Sequence, residues 1–208
     1  IGFRGTENLG NGLTALFQFE SDANFDTGGG LNTARDSFVG LSGNFGKVLL
    51  GTLTGPTRAL GEAMDVNAGA DGINSNKGVL GKLGGALTLG GASLADTRIN
   101  NAIGYVSPSF SGLQASAVYS ANENKNENNG FKINLSGYDL GLNYNNGPVM
   151  VGLTYARASA KNELATSILG LGSDEVAKEF RLGGMYDFGN ATVRVLFDRT
   201  KADGSLRN

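Results

Sequence analysis

FVGLSGNFGKVLLG, residues 38–51, holds two apolar runs bent around Asn44-Phe45-Gly46. Half of each run is suited to burial. The chain around it is rich in glycine and asparagine and contains no cysteine. What covers those apolar faces decides the fold.

The composition narrows the choice. The chain has 208 residues, enough for one domain. Hydrophobic residues make up 40%, charged residues only 17%, and there are 34 glycines. An ordinary soluble domain carries about 25% charge and about 7% glycine. Here Gly, Asn, Ser and Thr stand in place of charge, a neutral mixture that favours turns and strands. The net charge is −2 and the basic residues are scattered, so nothing points to nucleic acid. Without cysteine there is no disulfide framework and no thiolate metal site. Without histidine, Ser-His catalysis and the usual zinc ligands are excluded. No catalytic residue, cofactor or metal site is expected. No run approaches the roughly 18 apolar residues of a membrane helix, but a barrel strand needs only about 9–11 residues, half of them apolar.

The dominant period is two. In Leu13–Glu20 the positions Leu13, Ala15, Phe17 and Phe19 share one face. In Leu113–Ser120, Leu113, Ala115, Ala117 and Tyr119 do the same. Around Phe180–Phe188 the even positions are apolar apart from Gly184, with Arg181 and Asp187 on the other face. Ala191, Val193, Val195 and Phe197 oppose Thr192, Arg194 and Asp198. Such alternation predicts strands with one apolar and one wet face. It places them at about 1–8, 12–20, 35–44, 47–52, 99–108, 112–121, 131–145, 148–157, 178–188 and 190–200. The long segment 131–145 leaves room for a bulge near Gly137.

The connections sort by length. Asn8–Gly12, Asn44–Gly46, Ser109–Gly112, Asn145–Pro148 and Phe188–Asn190 are short and supply the Gly and Asn that tight hairpins need. The segments 21–34, 53–97, 122–130 and 158–177 are long. The two kinds alternate strictly. Short turns at one end and long loops at the other are the pattern of an outer-membrane barrel. A soluble sandwich has less reason to sort its loops, and detergent-free solubility would decide for it.

The loop 53–97 is the longest, and a loop of that length in a compact domain is usually functional. Arg58–Met64 within it fits a short helical turn, and Arg58, Lys77 and Lys82 balance Glu62, Asp65 and Asp71, with Asp96 near the end. GNFGKV lacks the spacing of a phosphate loop and reads as a hairpin turn. The carboxylate pairs Glu62/Asp65 and Glu123/Glu127 lie in predicted loops and read as solvated. An enzyme on a smaller barrel would need an unusual nucleophile. Arg4, Arg35, Arg98, Arg181 and Arg194 sit in or beside alternating runs. A lipid-facing arginine costs about 2–4 kcal/mol at mid-membrane, so in a barrel these side chains belong in the lumen. The bland alternative is a wall salt bridge with no part in transport.

Several stretches resemble successive hairpins of the general trimeric porins of Gram-negative bacteria, in the neisserial and β-proteobacterial branch. They are IGFRGTENLGNGLTALFQFE, ARDSFVGLSGNFGKVLLG, RINNAIGYVSPSFSGLQASAVYS, YNNGPVMVGLTYA and MYDFGNATVRV. The resemblance is colinear and covers nearly the whole chain. It implies an all-β, antiparallel transmembrane β-barrel, sixteen-stranded in the family, of which about ten strands are expected here. It also implies strands before Ile1 and after Asn208, one barrel domain over 1–208, and a third loop, 53–97, folded into the pore as its constriction.

The implied function is passive diffusion of ions and small hydrophilic solutes across the outer membrane, with no chemical reaction. The implied partners are a homotrimer, outer-membrane lipid and lipopolysaccharide, and not nucleic acid. Arg35 and Arg98 match two of the family's wall arginines by motif position, and Glu20 matches an acidic residue of the constriction. With Arg4 on the basic side, and Glu62, Asp65 and Asp71 from the loop on the acidic side, these residues form the expected constriction. Two departures stand out: Thr52 and Gly104 occupy positions where the family often has arginine. Strong anion selectivity therefore does not follow. A substrate-specific channel of the same fold is the alternative.

Overall fold

The structure is a computed structural model that describes residues 1–24, 30–32, 35–66, 97–121, 133–162 and 174–203. In chain order the elements are β1 (Gly2–Gly10), β2 (Leu13–Glu20), β3 (Asp22–Asn24), β4 (Gly30–Asn32), β5 (Ser37–Gly43), β6 (Gly46–Thr54), α1 (Pro56–Met64), β7 (Arg98–Val106), β8 (Leu113–Ala121), β9 (Ile133–Asn146), β10 (Val149–Asn162), β11 (Asp174–Asp187) and β12 (Thr192–Asp203). Ten strands form one antiparallel sheet in the order β1-β2-β5-β6-β7-β8-β9-β10-β11-β12. Every neighbour in space is the next long strand in sequence, as short turns require. β3 and β4 pair separately as a small hairpin between β2 and β5.

The opening stretch shows how the sheet is made. Gly43 pairs with Gly46 across the two-residue turn Asn44-Phe45. Gly46 has φ 103°, and a Cβ there would meet the Val106 carbonyl oxygen, so the turn requires glycine. Val39, Leu41 and Leu50 are exposed on one face. Leu49 faces the other way and packs beside Gly40 and Gly104. Between Gly51 and Leu53 the register of β6 against β7 shifts. The extra residue lies on β7, where Ile99 and Ala102 are three apart and both face inward; Leu53, on the same face as Leu49 by simple alternation, forms with Ala102 and Val118 a small core flanked by Phe38, Leu49 and Ile99.

The bulge expected near Gly137 is not formed. β9 keeps one unbroken register against both β8 and β10. Its length needs no bulge, because the paired strand β10 is equally long. Two further expectations are corrected. The long connection 21–34 contains the β3–β4 hairpin, and β10 and β11 pair up to Lys161–Asp174, well into the segment 158–177 read as loop.

The two faces of the sheet differ in kind. One carries Phe17, Val39, Leu50, Ile103, Leu140, Leu153, Leu182 and Val195, all exposed. A soluble monomer seldom leaves a contiguous apolar patch beyond a few hundred Å². On β9 two leucines, Leu140 and Leu142, lie between Tyr138 and Tyr144 on that face. Tyr105, also on it, donates a hydrogen bond to the Phe45 carbonyl oxygen at 2.7 Å. Aromatic residues at both rims of an apolar band are what a lipid bilayer selects. The other face carries α1 and most of the charged strand residues. Among the described residues no helix is long and apolar enough to cross a membrane.

Candidate functional site

The chain leaves β6 at Thr54, and α1 follows after Gly55. The helix does not stay over its own hairpin. It lies on the inner face of β8 to β12, strands that come much later in the sequence. Its sequence explains why. Pro56, Leu60 and Met64, spaced four apart, form one buried edge, while Arg58, Ala59, Glu62 and Ala63 turn away. Proline at the first helical position supplies the fixed φ a helix start favours.

The wall under that edge is glycine. A Cβ at Gly141 would stand 2.6 Å from the Pro56 Cβ, and one at Gly183 would stand 3.0 Å from Met64. At Gly152 it would collide with the end of Leu60. Gly152 pairs with Gly183, and Gly141 lies on β9 opposite Thr154, two residues along, so the three positions leave a shallow trough on the inner face, bordered by Asn143 and Ser116. Leu60 and Met64 are 1% and 4% exposed, and burial of such side chains contributes about 1.5–3 kcal/mol each.

Polar contacts pin the helix in the trough. Gly55 supplies no side-chain cap, and the wall provides one instead. Asp139 of β9 accepts from the Thr57 backbone N–H at 2.9 Å and from the Thr57 hydroxyl at 2.6 Å. A carboxylate at a helix start satisfies an orphan N–H and complements the dipole. Arg181 of β11 donates to the Thr57 carbonyl oxygen at 2.8 Å. The same guanidinium pairs with Asp198 at 2.9 Å and with Glu179. Arg181 is wholly buried, so its charge is stable only because two carboxylates and a carbonyl surround it.

A second charged group lies beside β5 and β7. Arg98 reaches Asp36 at 3.2 Å, and the Thr54 hydroxyl donates to the same carboxylate at 2.9 Å. Arg35 lies 3.2 Å from Asp22 and 3.5 Å from Glu20. The hydrogen bond to Asp22 raises the pKa of the Arg35 guanidinium, against a smaller opposing effect of desolvation, with Glu20 adding to the rise. Glu20 also accepts from the Gln18 amide at 2.9 Å.

The sequence-predicted residues are therefore distributed as follows. Arg35 and Glu20 are together, and Arg98 is engaged by Asp36, a partner the sequence reading did not name. Arg4 is exposed on β1 opposite Gln18 and makes no ion pair among the described residues. Glu62 pairs with Arg58 of its own helix at 2.8 Å. Asp65 caps α1 at its C-terminus, its N–H donating to the Glu62 carbonyl oxygen. Asp71 lies outside the described residues. Asp36, Thr57, Asp139, Glu179 and Asp198 were missed. The signal for the strand residues was present: each is a lone charge at a wet-face position of an alternating run. Among the described residues no group of three acidic side chains is arranged to hold a metal ion.

Gly104 has a local reason. A Cβ there would come within 2.7 Å of Leu53, so that core residue occupies the space an arginine stem would need.

The chain is similar to known proteins. The chain is 35% identical over 205 residues to outer membrane porin protein 32 of Delftia acidovorans, covering 97% of this chain and 54% of that protein. It is 35% identical over 154 residues to the major outer membrane protein P.IB of Neisseria meningitidis serogroup B, covering 73% of this chain and 40% of that one. It thus spans about half the length of the curated relatives it matches. Among solved structures, the anion-selective porin from Comamonas acidovorans aligns with 98% of this chain and 68% of its own, at 27% identity and a TM-score of 0.55. The trimer form of OmpT from Vibrio cholerae aligns at 13% identity and a TM-score of 0.51, covering 98% of this chain and 69% of its own, a likeness of fold alone. The Gram-negative porin family matches residues 1–208, and with an apolar outer face and a helix seated on the inner one, the chain belongs to that family.

Proposed function

We propose that this chain supplies the wall and the constriction of a water-filled channel through the outer membrane, used for passive diffusion of ions and small hydrophilic solutes. The observation that carries the reading is the seat of α1 on the inner face of β8–β12. A segment that leaves its own hairpin to lie across the opposite wall narrows whatever passes between them. No chemical step is involved. The constriction loop is proposed to be 53–97, of which α1 is the part in contact with the wall.

The basic side is assigned to Arg35, Arg98 and Arg4, and the acidic side to Glu20, Glu62, Asp65 and Asp71. The near-balance of Arg35 and Arg98 against Glu20, Asp22 and Asp36 supports weak rather than strong ion selectivity. That differs from the anion selectivity named for the Comamonas acidovorans structure. A homotrimer is proposed from the family resemblance.

The test is conductance of the full-length protein in planar bilayers. Open channels with linear current and no saturation by one class of solute support general diffusion. Saturation by a single solute class would replace it with a substrate-specific channel.

A further inference from the structure

The chain holds three methionines, Met64, Met150 and Met185. They belong to α1, β10 and β11, and the fold gathers them on the inner face of the sheet. The register sets Met150 directly opposite Met185. Their neighbours Val151 and Tyr186 are exposed on the outer face, so by alternation both thioethers stand on the inner one. Two residues along each strand is the pair Gly152 and Gly183 of the trough. Met64 rests there, its Cγ 3.0 Å from the place a Gly183 Cβ would take. Gly183 and Met185 are about 7 Å apart along β11, a gap that flexible methionine side chains span.

The residue type is the unexpected part. The inner face of a water-filled barrel carries polar side chains, and here it carries two methionines opposite each other. Leucine would supply much the same apolar volume. What methionine adds is a polarisable sulfur that takes up an oxygen atom. Met64 is buried, whereas Met150 and Met185 are half-buried. An oxidant in the bore therefore meets the wall pair first.

Beside the pair is a donor without an acceptor. Arg194 of β12 lies opposite Met185, between the exposed Val193 and Val195, and so shares the inner face. Its Nε is buried and makes no hydrogen bond among the described residues. A buried donor left unpaired is costly. A thioether sulfur is too weak an acceptor to relieve it, whereas a sulfoxide oxygen is polar and accepts readily.

We propose that Met150 and Met185 form a reversible oxidation site in the inner wall. The oxidant class is peroxides. The thioether sulfur attacks one peroxide oxygen, an S–O bond forms and the O–O bond breaks. The departing hydroxide takes the proton from the new S–OH group, leaving a sulfoxide and water. Sulfur loses two electrons and the peroxide gains them. The Arg194 Nε–H donates to the new oxygen on Met185. Met64 relays the change to α1, because a polar group placed next to its buried thioether weakens the helix seat. The effect on conductance rests on the channel reading, and the oxidation site itself does not.

The experiment uses the folded full-length protein in detergent micelles, treated with hydrogen peroxide and digested for mass spectrometry. Met150 and Met185 are each expected to gain one oxygen, about 16 Da, well before Met64 does, whereas the urea-unfolded chain should oxidise all three at one rate. Equal rates at the three sites in the folded protein overturn the proposal. In planar bilayers, peroxide is expected to lower the single-channel conductance as α1 lifts into the bore, and methionine sulfoxide reductases with a dithiol are expected to restore it. The double substitution Met150→Leu and Met185→Leu is expected to conduct without responding to peroxide, and a response equal to that of the wild type overturns the proposal. If that variant fails to fold, as judged by heat-modifiable gel mobility, Met185→Leu alone is used and a reduced response is expected. Oxidation should cost Arg194→Leu more resistance to urea than it costs the wild type, and equal losses would remove Arg194 from the site. Oxidation of both wall methionines with conductance unmoved would overturn the relay to α1. Absence of conductance in the untreated wild type counts against the channel reading alone, because mass spectrometry still reads the site.

Discussion

Asp139 has two jobs in seating α1. It caps α1 through the Thr57 N–H and fixes the Thr57 hydroxyl, both in a buried site. In Asp139→Ala both donors lose their acceptor, at a cost of about 1–3 kcal/mol to the seating of the helix. The expected outcome is a noisier single-channel record, with frequent brief changes of level, in a barrel that still folds. Arg181→Met goes further, since it leaves the buried Glu179 and the partly buried Asp198 without their cation, a loss of about 3–5 kcal/mol measurable by urea unfolding in vesicles. At the other charged group the readout is selectivity. Arg35→Ala with Arg98→Ala leaves Glu20, Asp22 and Asp36 uncompensated, so the reversal potential under a salt gradient should move toward cation preference. An unchanged potential would remove both arginines from the permeation path. From the sequence, Arg181 was legible as an inward residue because arginine cannot face lipid cheaply. Its partner Thr57 was not, because no local pattern tells which wall a loop helix will meet 124 positions away.

At the scale of elements, period-two alternation located the ten sheet strands because each has one lipid-like and one wet face. It lost the ends of β10 and β11, where Ala158-Ser-Ala-Lys161 alternates small with small and gives no contrast. It lost β3 and β4 for the same reason: DAN and GLN are too short and too polar to show a face. The helical turn was expected at Arg58–Met64, and the helix starts two residues earlier, at a proline that the loop's glycines disguised as a breaker. The glycine trough was invisible in sequence, since Gly141, Gly152 and Gly183 become neighbours only through register. Its test is Gly152→Leu. The added side chain would occupy the space of Leu60 and lift α1 from the wall, so single-channel conductance should change markedly with no ionisable group altered. Gly184, on the opposite face with nothing within 4 Å, is the matched control: Gly184→Leu should leave conductance as it was.

For the whole molecule, the exposed face is the strongest commitment. A charge at its middle and one at its rim should differ. Leu142→Arg, between the tyrosine rows, is expected to cost about 2–4 kcal/mol of barrel stability in vesicles, and Val193→Arg near the short turns about 0–1 kcal/mol. Equal costs at the two sites would mean that lipid does not cover this face. β1 and β12 are the two edges of the described sheet, and in a bilayer both edges must be paired, with each other or with further strands. The order of neighbours was legible, since short turns leave adjacent strands no other choice. Which face looks at lipid followed from the unpaired apolar residues rather than from any motif.

The trough beneath α1 separates two properties that a pore usually trades against each other. In the proposed channel the calibre would be set by Pro56, Leu60 and Met64 resting on three glycines, and none of those residues is charged. In the proposed channel the field is assigned to Arg35, Arg98, Glu20 and Asp36, carried on or beside β2, β5 and β7, outside the strands that hold the helix. A methyl group added to a glycine would retune the bore and leave the sign of the permeating ion alone. A changed charge on the far wall would do the reverse. In that proposed channel, size exclusion and ion preference would drift independently, each through single substitutions that the other does not feel.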